Sequence, residues 1–209
     1  MARYTEALCR KCRREGTKLF LKGTRCTTSK CALERRNYAP GQHGKAKSKL
    51  SEYGTQLRAK QRTKIYYGIL ESQFRKYFDE AFNAEGVTSE TLFGILERRL
   101  DNVAYRLGIG TSRAESRQLV RFGMLEVNGK KTDIPSYIVK VGDVVKVREA
   151  KKDNKTIVQV LEATNSKVIP SWLELNREIN EAKVLRLPTR EDVDLDVQES
   201  LIVELYSKN

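Results

Sequence analysis

The four cysteines of this chain constrain its folding more than any other feature. They fall within 23 residues, in the pattern Cys9-x2-Cys12-x13-Cys26-x4-Cys31, and the sequence contains no other cysteine. Two short-spaced pairs joined by a loop bring four thiolates to one tetrahedral ion, as structural zinc requires. We therefore predict one structural Zn2+ ion held by these four residues.

Two other states of the cysteines stay open, namely a pair of disulfides and four unrelated thiols. The N-terminus lacks the apolar stretch of a signal peptide, so we expect a reducing compartment, which disfavours disulfides. Four thiolates fill the zinc shell, which argues against a catalytic ion. Because Arg and Lys surround the cysteines, we expect the thiol pKa values to lie below the ordinary one. The single histidine, His43, fits an RNA-contacting loop better than a fifth ligand position.

Positive charge is concentrated in the first third of the chain. Residues 1–64 hold 18 Lys and Arg against 4 Asp and Glu, a net +14, whereas residues 65–209 hold 22 against 23, a net −1. A solvated basic tail usually lacks cysteines and aromatic residues, and this segment contains both. The interleaving of cations with Gly, Cys and Tyr favours nucleic acid over an acidic membrane surface.

Several function classes are disfavoured by composition. The chain has no apolar run near the roughly 20 residues of a membrane span. It offers no nucleophile with its base and no phosphate-cradling glycine loop. We expect a cytoplasmic globular protein of one or two domains, without a small-molecule substrate or a membrane partner.

The central part of the chain has a helical hydrophobic period. After an extended basic linker over residues 35–49, which we expect to become ordered on RNA, helices are predicted over 51–67, 73–84 and 88–107. In the second helix, apolar residues from Phe74 to Phe82 recur at i, i+3, i+4, i+7 and i+8. This spacing favours a core face over a base-stacking surface.

A fourth helix is predicted after Ser112, which begins a capping box with Glu115. Arg113, Arg117 and Arg121 recur every four residues and form one stripe, and the sequence offers only Glu115 as a nearby partner. We favour phosphate contact for this stripe over a solvated helix face. The helix is expected to bury four apolar residues, which are Ala114, Leu119, Val120 and Phe122.

Beyond Gly123 the hydrophobic period changes to two. Residues 124–127 and 130–134 flank Asn128-Gly129, the signature of a type I′ hairpin. Further strands are predicted at 137–139, 144–147, 172–175, 184–187 and 201–206, with a helix near 156–163. The acidic run over 191–199 is expected to avoid RNA and to face a protein neighbour. The chain is therefore predicted to be α+β.

Short motifs with recognisable spacing extend along nearly the whole chain. Besides the cysteines, they are RRNYAPGQHG at 35–44, ERRLDNVAYRLG at 97–108, the segment 112–123, and the turns at 127–129, 135–137 and 141–143. Together they resemble the bacterial-type ribosomal protein S four family of the small subunit, in the branch that retains its zinc cysteines.

The resemblance implies a domain organisation. It comprises a zinc-knuckle N-terminal extension and linker (1–45) and a helical domain completed by C-terminal strands (46–97 with 163–209). Between them is an inserted RNA-binding module of two helices and a short antiparallel sheet (98–162). It also implies binding to a multi-helix junction in the 5′ domain of small-subunit ribosomal RNA, early in assembly, and a contribution to translational accuracy. The implied neighbours are ribosomal proteins S three and S five, with messenger RNA as a further candidate partner near the channel where it enters.

The charge pattern and the resemblance together give a set of expected RNA-binding residues in both regions. They are Arg3, Arg10, Lys11, Arg13, Arg14, Lys22, Arg25, Lys30, Arg35, Arg36, Tyr38, Gln42, His43, Lys45, Lys47, Lys49, Arg58, Arg62, Arg113, Arg117, Arg121 and Lys130.

Two other functions are weighed against this one. RNA-modifying enzymes carry the same small module, and Arg99-Leu100-Asp101 resembles the catalytic tripeptide of pseudouridine synthases, but Asp101 is predicted to lie within an amphipathic helix. The second alternative is a zinc-finger transcription factor, which would prefer duplex DNA to folded RNA. We expect a non-enzymatic RNA-binding protein.

Overall fold

A computed structural model of the chain describes residues 4–46, 49–177 and 179–207. The chain divides into two compact units. Unit 1 comprises residues 1–92 and 195–209, and unit 2 comprises residues 93–194. Within the described ranges, no helix has both the length and the apolar character that crossing a membrane requires.

Unit 1 is helical. Its helices are α1 (Leu8–Glu15), α2 (Ala32–Arg35), α3 (Glu52–Tyr66), α4 (Glu71–Phe82), the first part of α5 (Thr88–Glu97) and α9 (Ser200–Ser207), with a 3-10 turn at Gly23–Thr27. The predicted helix over 51–67 is confirmed as α3. It begins at Ser51, whose side chain accepts a hydrogen bond from the Gly54 N–H and so satisfies a free amide of the first turn.

The core of unit 1 lies between α3, α4 and α9. Phe74, Tyr77 and Phe78 are buried as the helical period predicts, whereas Phe82 at the end of α4 is 59% exposed. The predicted strand over 201–206 is wrong, because this segment forms α9. Ile202 and Leu205 are buried on one face of this helix, which packs on α3, so tertiary packing overrides the strand preference of its β-branched residues.

The predicted helix over 88–107 is interrupted. It forms α5 and α6 (Leu100–Arg106), with Arg99 extended between them at ψ 135°. Arg99 forms a β-bridge with Ile138, and the Leu100 N–H donates to the Tyr137 carbonyl at 2.8 Å. These bonds to the 135–139 segment compensate for the helical bonds that the break removes.

Unit 2 combines α6, α7 (Arg113–Arg121) and α8 (Lys155–Thr164) with an antiparallel sheet. The strands are β1 (Leu125–Val127), β2 (Lys130–Lys131), β3 (Val144–Val147), β4 (Leu173–Asn176) and β5 (Glu181–Val184), in the order β2-β1-β3-β5-β4. The predicted hairpin turn is confirmed, since Asn128 and Gly129 both have positive φ, at 50° and 74°. The architecture is thus mixed, with helices and one small antiparallel sheet.

The sheet extends beyond the module predicted over 98–162. Strand β5 pairs with β3, with Val145 opposite Ala182, and Trp172 is fully buried in the same core. The predicted strand at 184–187 lies instead at 181–184, and the segment 137–139 contributes only its single bridge. Residues 163–194 therefore belong to unit 2, and of the C-terminal segment only the part after 194 joins the helical unit.

Candidate nucleic-acid interface

The four cysteines lie in or next to short helical segments of unit 1. Cys9 and Cys12 are in α1, Cys26 is in the 3-10 turn and Cys31 directly precedes α2. All four are free thiols, and the Lys22 N–H donates to the Cys26 sulfur at 3.4 Å. Burial raises the pKa of the Cys12 thiol, and its three cysteine neighbours raise it further, although a backbone hydrogen bond at Leu19 lowers it. The expectation of a depressed thiol pKa is therefore wrong for Cys12.

The cysteines fit zinc in their chemistry, since four thiols are a common ligand set of structural zinc. Each of the other three thiols is close enough to Cys12 to affect its pKa, and backbone amides are directed at two of the sulfurs, as in zinc knuckles. In the described part of the chain, however, no three His, Cys, Asp or Glu residues are grouped so that they could hold a metal ion. The four thiols are thus chemically suitable zinc ligands, but the described residues are not arranged as a metal site.

Tyr38 organises part of the basic N-terminal surface. The Arg13 guanidinium lies over its ring at 5.0 Å from the centroid, and the Lys45 ammonium lies over it at 5.4 Å. The Arg13 Nε also donates to the Tyr38 carbonyl at 3.0 Å. An aromatic ring orients a cation without neutralising it, so both charges remain able to attract a polyanion.

Most of the other predicted RNA-binding residues of unit 1 are exposed. The exposed ones are Arg10, Arg14, Lys22, Arg25, Lys30, Arg35, Arg36, Gln42, His43, Lys45 and Lys49. Lys11, Arg13, Tyr38, Arg58 and Arg62 are half-buried. Arg3 and Lys47 lie outside the described residues. The structure thus places most of the predicted cations where RNA could reach them, but their role in binding stays a prediction.

Two lysines of α3 contact a carboxylate of their own unit. Lys60 and Lys64 donate to Glu71 at the start of α4, at 2.7 Å and 2.9 Å. Burial alone would raise the pKa of Glu71, but hydrogen bonds from Lys60, Lys64 and Tyr206 lower it to about 2. These lysines therefore join α3 to α4.

Arg58 and Arg62, both predicted RNA-binding residues, contact groups of unit 1. The Arg58 Nη1 donates to Glu15 Oε1 at 2.9 Å, and the Arg62 Nη1 donates to the Asp196 carbonyl at 3.2 Å. Burial raises the pKa of Glu15, and the positive charges of Arg58 and Arg62 lower it in part. This arrangement ties α1 and the C-terminal segment to α3.

The arginine stripe of α7 has partners that the sequence did not suggest. The Arg113 Nε donates to Asn102 Oδ1 at 2.8 Å, and the Arg117 Nη1 donates to Asp101 Oδ2 at 2.6 Å. Arg121 is exposed. The expectation that only Glu115 is available nearby is therefore wrong, because the partners come from α6, about a dozen residues earlier in the chain.

Glu115 has a different role from the one predicted. Ser112 caps α7 as expected, by accepting from the Glu115 N–H at 3.3 Å. The Glu115 carboxylate, however, accepts from the N–H and hydroxyl of Thr111 at 2.7 Å and 2.6 Å. Of the four apolar residues expected to be buried in this helix, Leu119 and Val120 are buried, whereas Ala114 and Phe122 are exposed.

A buried ionic network supports this part of unit 2. Arg99 donates to both oxygens of Asp101, at 3.0 Å and 2.7 Å. Glu97, which is completely buried, accepts from Asn102 at 2.7 Å and from Arg106 at 3.0 Å and 2.9 Å. The sequence pattern does not predict this network, because it depends on the break between α5 and α6.

A basic and aromatic edge lies where α7 meets the hairpin. Arg121 and Phe122 are exposed there, and Lys130 and Lys131 of β2 are exposed as well. The side chain of Lys131 lies over Gly123, where an added Cβ would meet it at 2.6 Å. The residues predicted to bind RNA include Lys130 but not Lys131, which is equally exposed and directly follows it after the Asn-Gly turn.

Comparison with known families covers two segments of the chain. Residues 3–97 match the family described as ribosomal protein S4/S9 N-terminal domain, and residues 98–145 match the S4 domain. The boundary between the two matches coincides with the break between α5 and α6.

Curated relatives match the chain from end to end. Proteins named small ribosomal subunit protein uS4 are 60% identical in Acetivibrio thermocellus, 58% identical in Ruminiclostridium cellulolyticum and 57% identical in Clostridioides difficile. Each alignment spans 208 residues and covers 100% of both sequences.

Proposed function

The chain belongs to the uS4 family of small ribosomal subunit proteins, and we propose from this premise that it binds ribosomal RNA directly as a structural component of the subunit in the cytoplasm. The observation that carries this function is the identity of 57–60% to uS4 proteins over the full length. Because those relatives are ribosomal structural proteins, the expectation that the chain is not an enzyme is confirmed, and an RNA-modifying activity is not favoured.

RNA binding is proposed to use two surfaces. One is the set of exposed cations on residues 4–46 of unit 1, and the other is the edge of unit 2 formed by Arg121, Phe122 and β2. Such cations neutralise phosphates where RNA helices converge, so that strands which repel each other can pack together. Contacts to A-form RNA are mainly to its shape, phosphates and 2′-hydroxyls, so base-specific contacts are expected to be few.

The resemblance to the S four family supports a more specific placement. We propose that the protein binds a multi-helix junction of the 5′ domain, that it does so early in subunit assembly, and that it contributes to translational accuracy. The proposed neighbours are ribosomal proteins S three and S five, near the channel through which messenger RNA enters. Hydroxyl-radical footprinting on naked small-subunit RNA would test this placement. Protection that is found only outside the 5′ domain would contradict it.

We also propose that Cys9, Cys12, Cys26 and Cys31 hold one structural Zn2+ ion. Two observations support it, namely the effect of the other three cysteines on the pKa of Cys12 and the backbone amide directed at the Cys26 sulfur. Binding would require the four thiols to be deprotonated. The ion would stabilise a segment too short to bury a sufficient core of its own, and would hold its cations in place.

The electrostatic account of RNA binding is tested by a salt titration. We expect the logarithm of the affinity for small-subunit RNA to fall with the logarithm of salt concentration at a slope steeper than about −4, from roughly −0.7 to −0.9 per phosphate contacted. A slope shallower than about −2 contradicts it. Competition with duplex DNA is the matched control, since preferential binding to DNA would favour a zinc-finger transcription factor.

The zinc proposal is tested by replacing Cys9 and Cys12 with serine. Metal analysis of the purified wild-type protein should give one zinc per chain, and the variant should give none. We expect the variant to lose amide protection over residues 4–35 and to bind RNA more weakly. Unit 2 should stay folded, as reported by the fluorescence of Trp172, the only tryptophan of the chain. A variant whose melting and RNA affinity match those of the wild type would show that no such ion supports the segment.

A further inference from the structure

Phe20 has a backbone conformation that bulky side chains rarely adopt. Its φ is 49°, in the left-handed region, where Cβ comes too close to the backbone. The other two non-glycine residues with positive φ in the described part of the chain are Asn128 and Asn180, and the short polar side chain of asparagine tolerates this region. Glycine would hold the same backbone at a lower cost. The presence of a phenylalanine at this position therefore calls for a reason.

The hydrophobic core does not supply that reason. The neighbours Leu19 and Leu21 are buried, with 2% and 8% of their surface exposed, and they anchor this segment in unit 1. Phe20 lies between them and is 44% exposed. Strained backbone positions cluster where a side chain binds a ligand or partner. A strained residue that presents an aromatic ring to solvent thus indicates a contact outside the chain.

The charge around Phe20 selects the kind of partner. Residues 16–33 contain four Lys and Arg and no Asp or Glu. Lys18 and Lys22 lie two residues to either side of the ring and are exposed, although Lys18 pairs with Glu34. An unpaired stretch of RNA offers a flat base and a negative phosphate in the same nucleotide. Aromatic rings among cations are typical of proteins that bind such stretches.

We propose that the Phe20 ring stacks on one unpaired base of the ribosomal RNA, while exposed cations of residues 16–33 contact the neighbouring phosphates. Stacking tolerates any base, because every base has a π face, so this contact needs no particular nucleotide sequence. The inference rests on the proposed function, because it assigns one apolar contact within a mainly electrostatic RNA interface.

Replacing Phe20 by leucine removes the aromatic ring and keeps an apolar side chain with the same backbone strain. We expect Phe20→Leu to lower the affinity for small-subunit RNA about tenfold, since stacking is lost. The salt slope should stay the same, because no charge is removed. Phe82→Leu is the matched control: this ring is 59% exposed at the end of α4, directly after the turn that contains Asp79 and Glu80. It should leave the affinity unchanged.

Two further variants separate the strain from the stacking. Phe20→Ala and Phe20→Gly both remove the ring, but only the glycine relieves the strain of the positive φ. We expect Phe20→Gly to unfold at a higher denaturant concentration than Phe20→Ala. Both should bind RNA about tenfold more weakly than the wild type. Stability and RNA affinity would then respond to different properties of the same residue.

Fluorescence reports the stacking directly. Phe20→Trp keeps an aromatic face and should retain the affinity of the wild type. The indole that it introduces is expected to be quenched when RNA binds, because a stacked base quenches tryptophan emission. The only tryptophan of the wild type, Trp172, is fully buried in unit 2, so titration of the wild type with the same RNA gives the background.

The outcomes separate this inference from the function on which it rests. If the wild-type protein fails to bind the RNA, the proposed function itself fails. If it binds, and Phe20→Leu and Phe20→Ala bind equally well, the ring contacts no base and the inference is overturned, as it would be if Phe20 instead faced a protein neighbour. If Phe20→Leu melts earlier than the wild type, the fluorescence decides: quenching in Phe20→Trp supports stacking, and its absence overturns it.

Discussion

The cations of residues 4–46 and the arginines around α7 carry the same charge in different surroundings. Arg10 and Arg25 of the first group are exposed, and Arg13 lies against the ring of Tyr38. In the second group, Arg117 donates to the buried carboxylate of Asp101 and Arg113 donates to the amide of Asn102. Most cations of the first group therefore remain accessible to an external polyanion, whereas Arg113 and Arg117 bond to groups within unit 2.

The difference shows what a helical arginine stripe does and does not predict. The i, i+4 spacing correctly places Arg113 and Arg117 on one face of α7, but it cannot say what that face contacts. Once the partner is a carboxylate with only 6% of its side chain exposed, part of the charge is neutralised within the unit. Arg121, one turn further along, is exposed.

The largest expected effect is the loss of stability when Asp101 is replaced by alanine. Arg99 and Arg117 would both lose a carboxylate partner at a site where the Arg99 side chain is only 2% exposed. Breaking a buried ion pair typically costs about 3–5 kcal/mol, and we expect Asp101→Ala to lower the free energy of unfolding of unit 2 by that amount. Denaturant unfolding followed by Trp172 fluorescence measures it.

The control for this substitution is Asp79→Ala, at an exposed position of α4. It should change the free energy of unfolding by less than about 0.5 kcal/mol. If Asp101→Ala proved equally mild, Arg99 and Arg117 would not depend on this carboxylate. The contrast between the two groups of cations would then fail.

A smaller effect is expected from the exposed cations of unit 1, and it should appear in RNA binding alone. A variant with Arg10, Arg25 and Lys30 all changed to glutamine should show a salt slope that is shallower by about 2 to 3, because each phosphate left without its cation reduces the slope by roughly 0.7 to 0.9. Its unfolding midpoint should match that of the wild type, because these side chains are exposed.

The comparison variant changes two cations of the same unit that are already engaged. Lys60→Gln and Lys64→Gln together remove both lysine partners of Glu71. This variant should unfold at lower denaturant concentration while its salt slope changes little. An equal reduction of the slope in both variants would mean that pairing with a carboxylate does not distinguish the two kinds of cation.

Local patterns predicted those parts of the molecule that local forces determine. The start of α3 at Ser51, the amphipathic α4 and the Asn128-Gly129 turn all follow from neighbouring residues. The break at Arg99 and the helical state of 200–207 do not, because each depends on packing against residues distant in the chain. The same reason explains how much of the candidate site could be predicted. The exposed cations could be named from composition, but the partners of Arg117 could not.

The smallest expected effect comes from Arg121→Gln. This variant is most informative when it is compared with Arg117→Gln on the same helix. Arg121 is exposed, so its replacement should change the free energy of unfolding by less than about 0.5 kcal/mol. If it contacts a phosphate, the salt slope should become shallower by about 0.7 to 0.9.

Arg117→Gln should do the reverse, lowering stability by about 1–3 kcal/mol because the bond to Asp101 is removed, with little change of slope. Should Arg117→Gln instead leave stability intact and reduce the slope as Arg121→Gln does, α7 would face RNA along its whole stripe. The two variants therefore place the boundary between cations that bind RNA and cations that hold the fold within one turn of one helix.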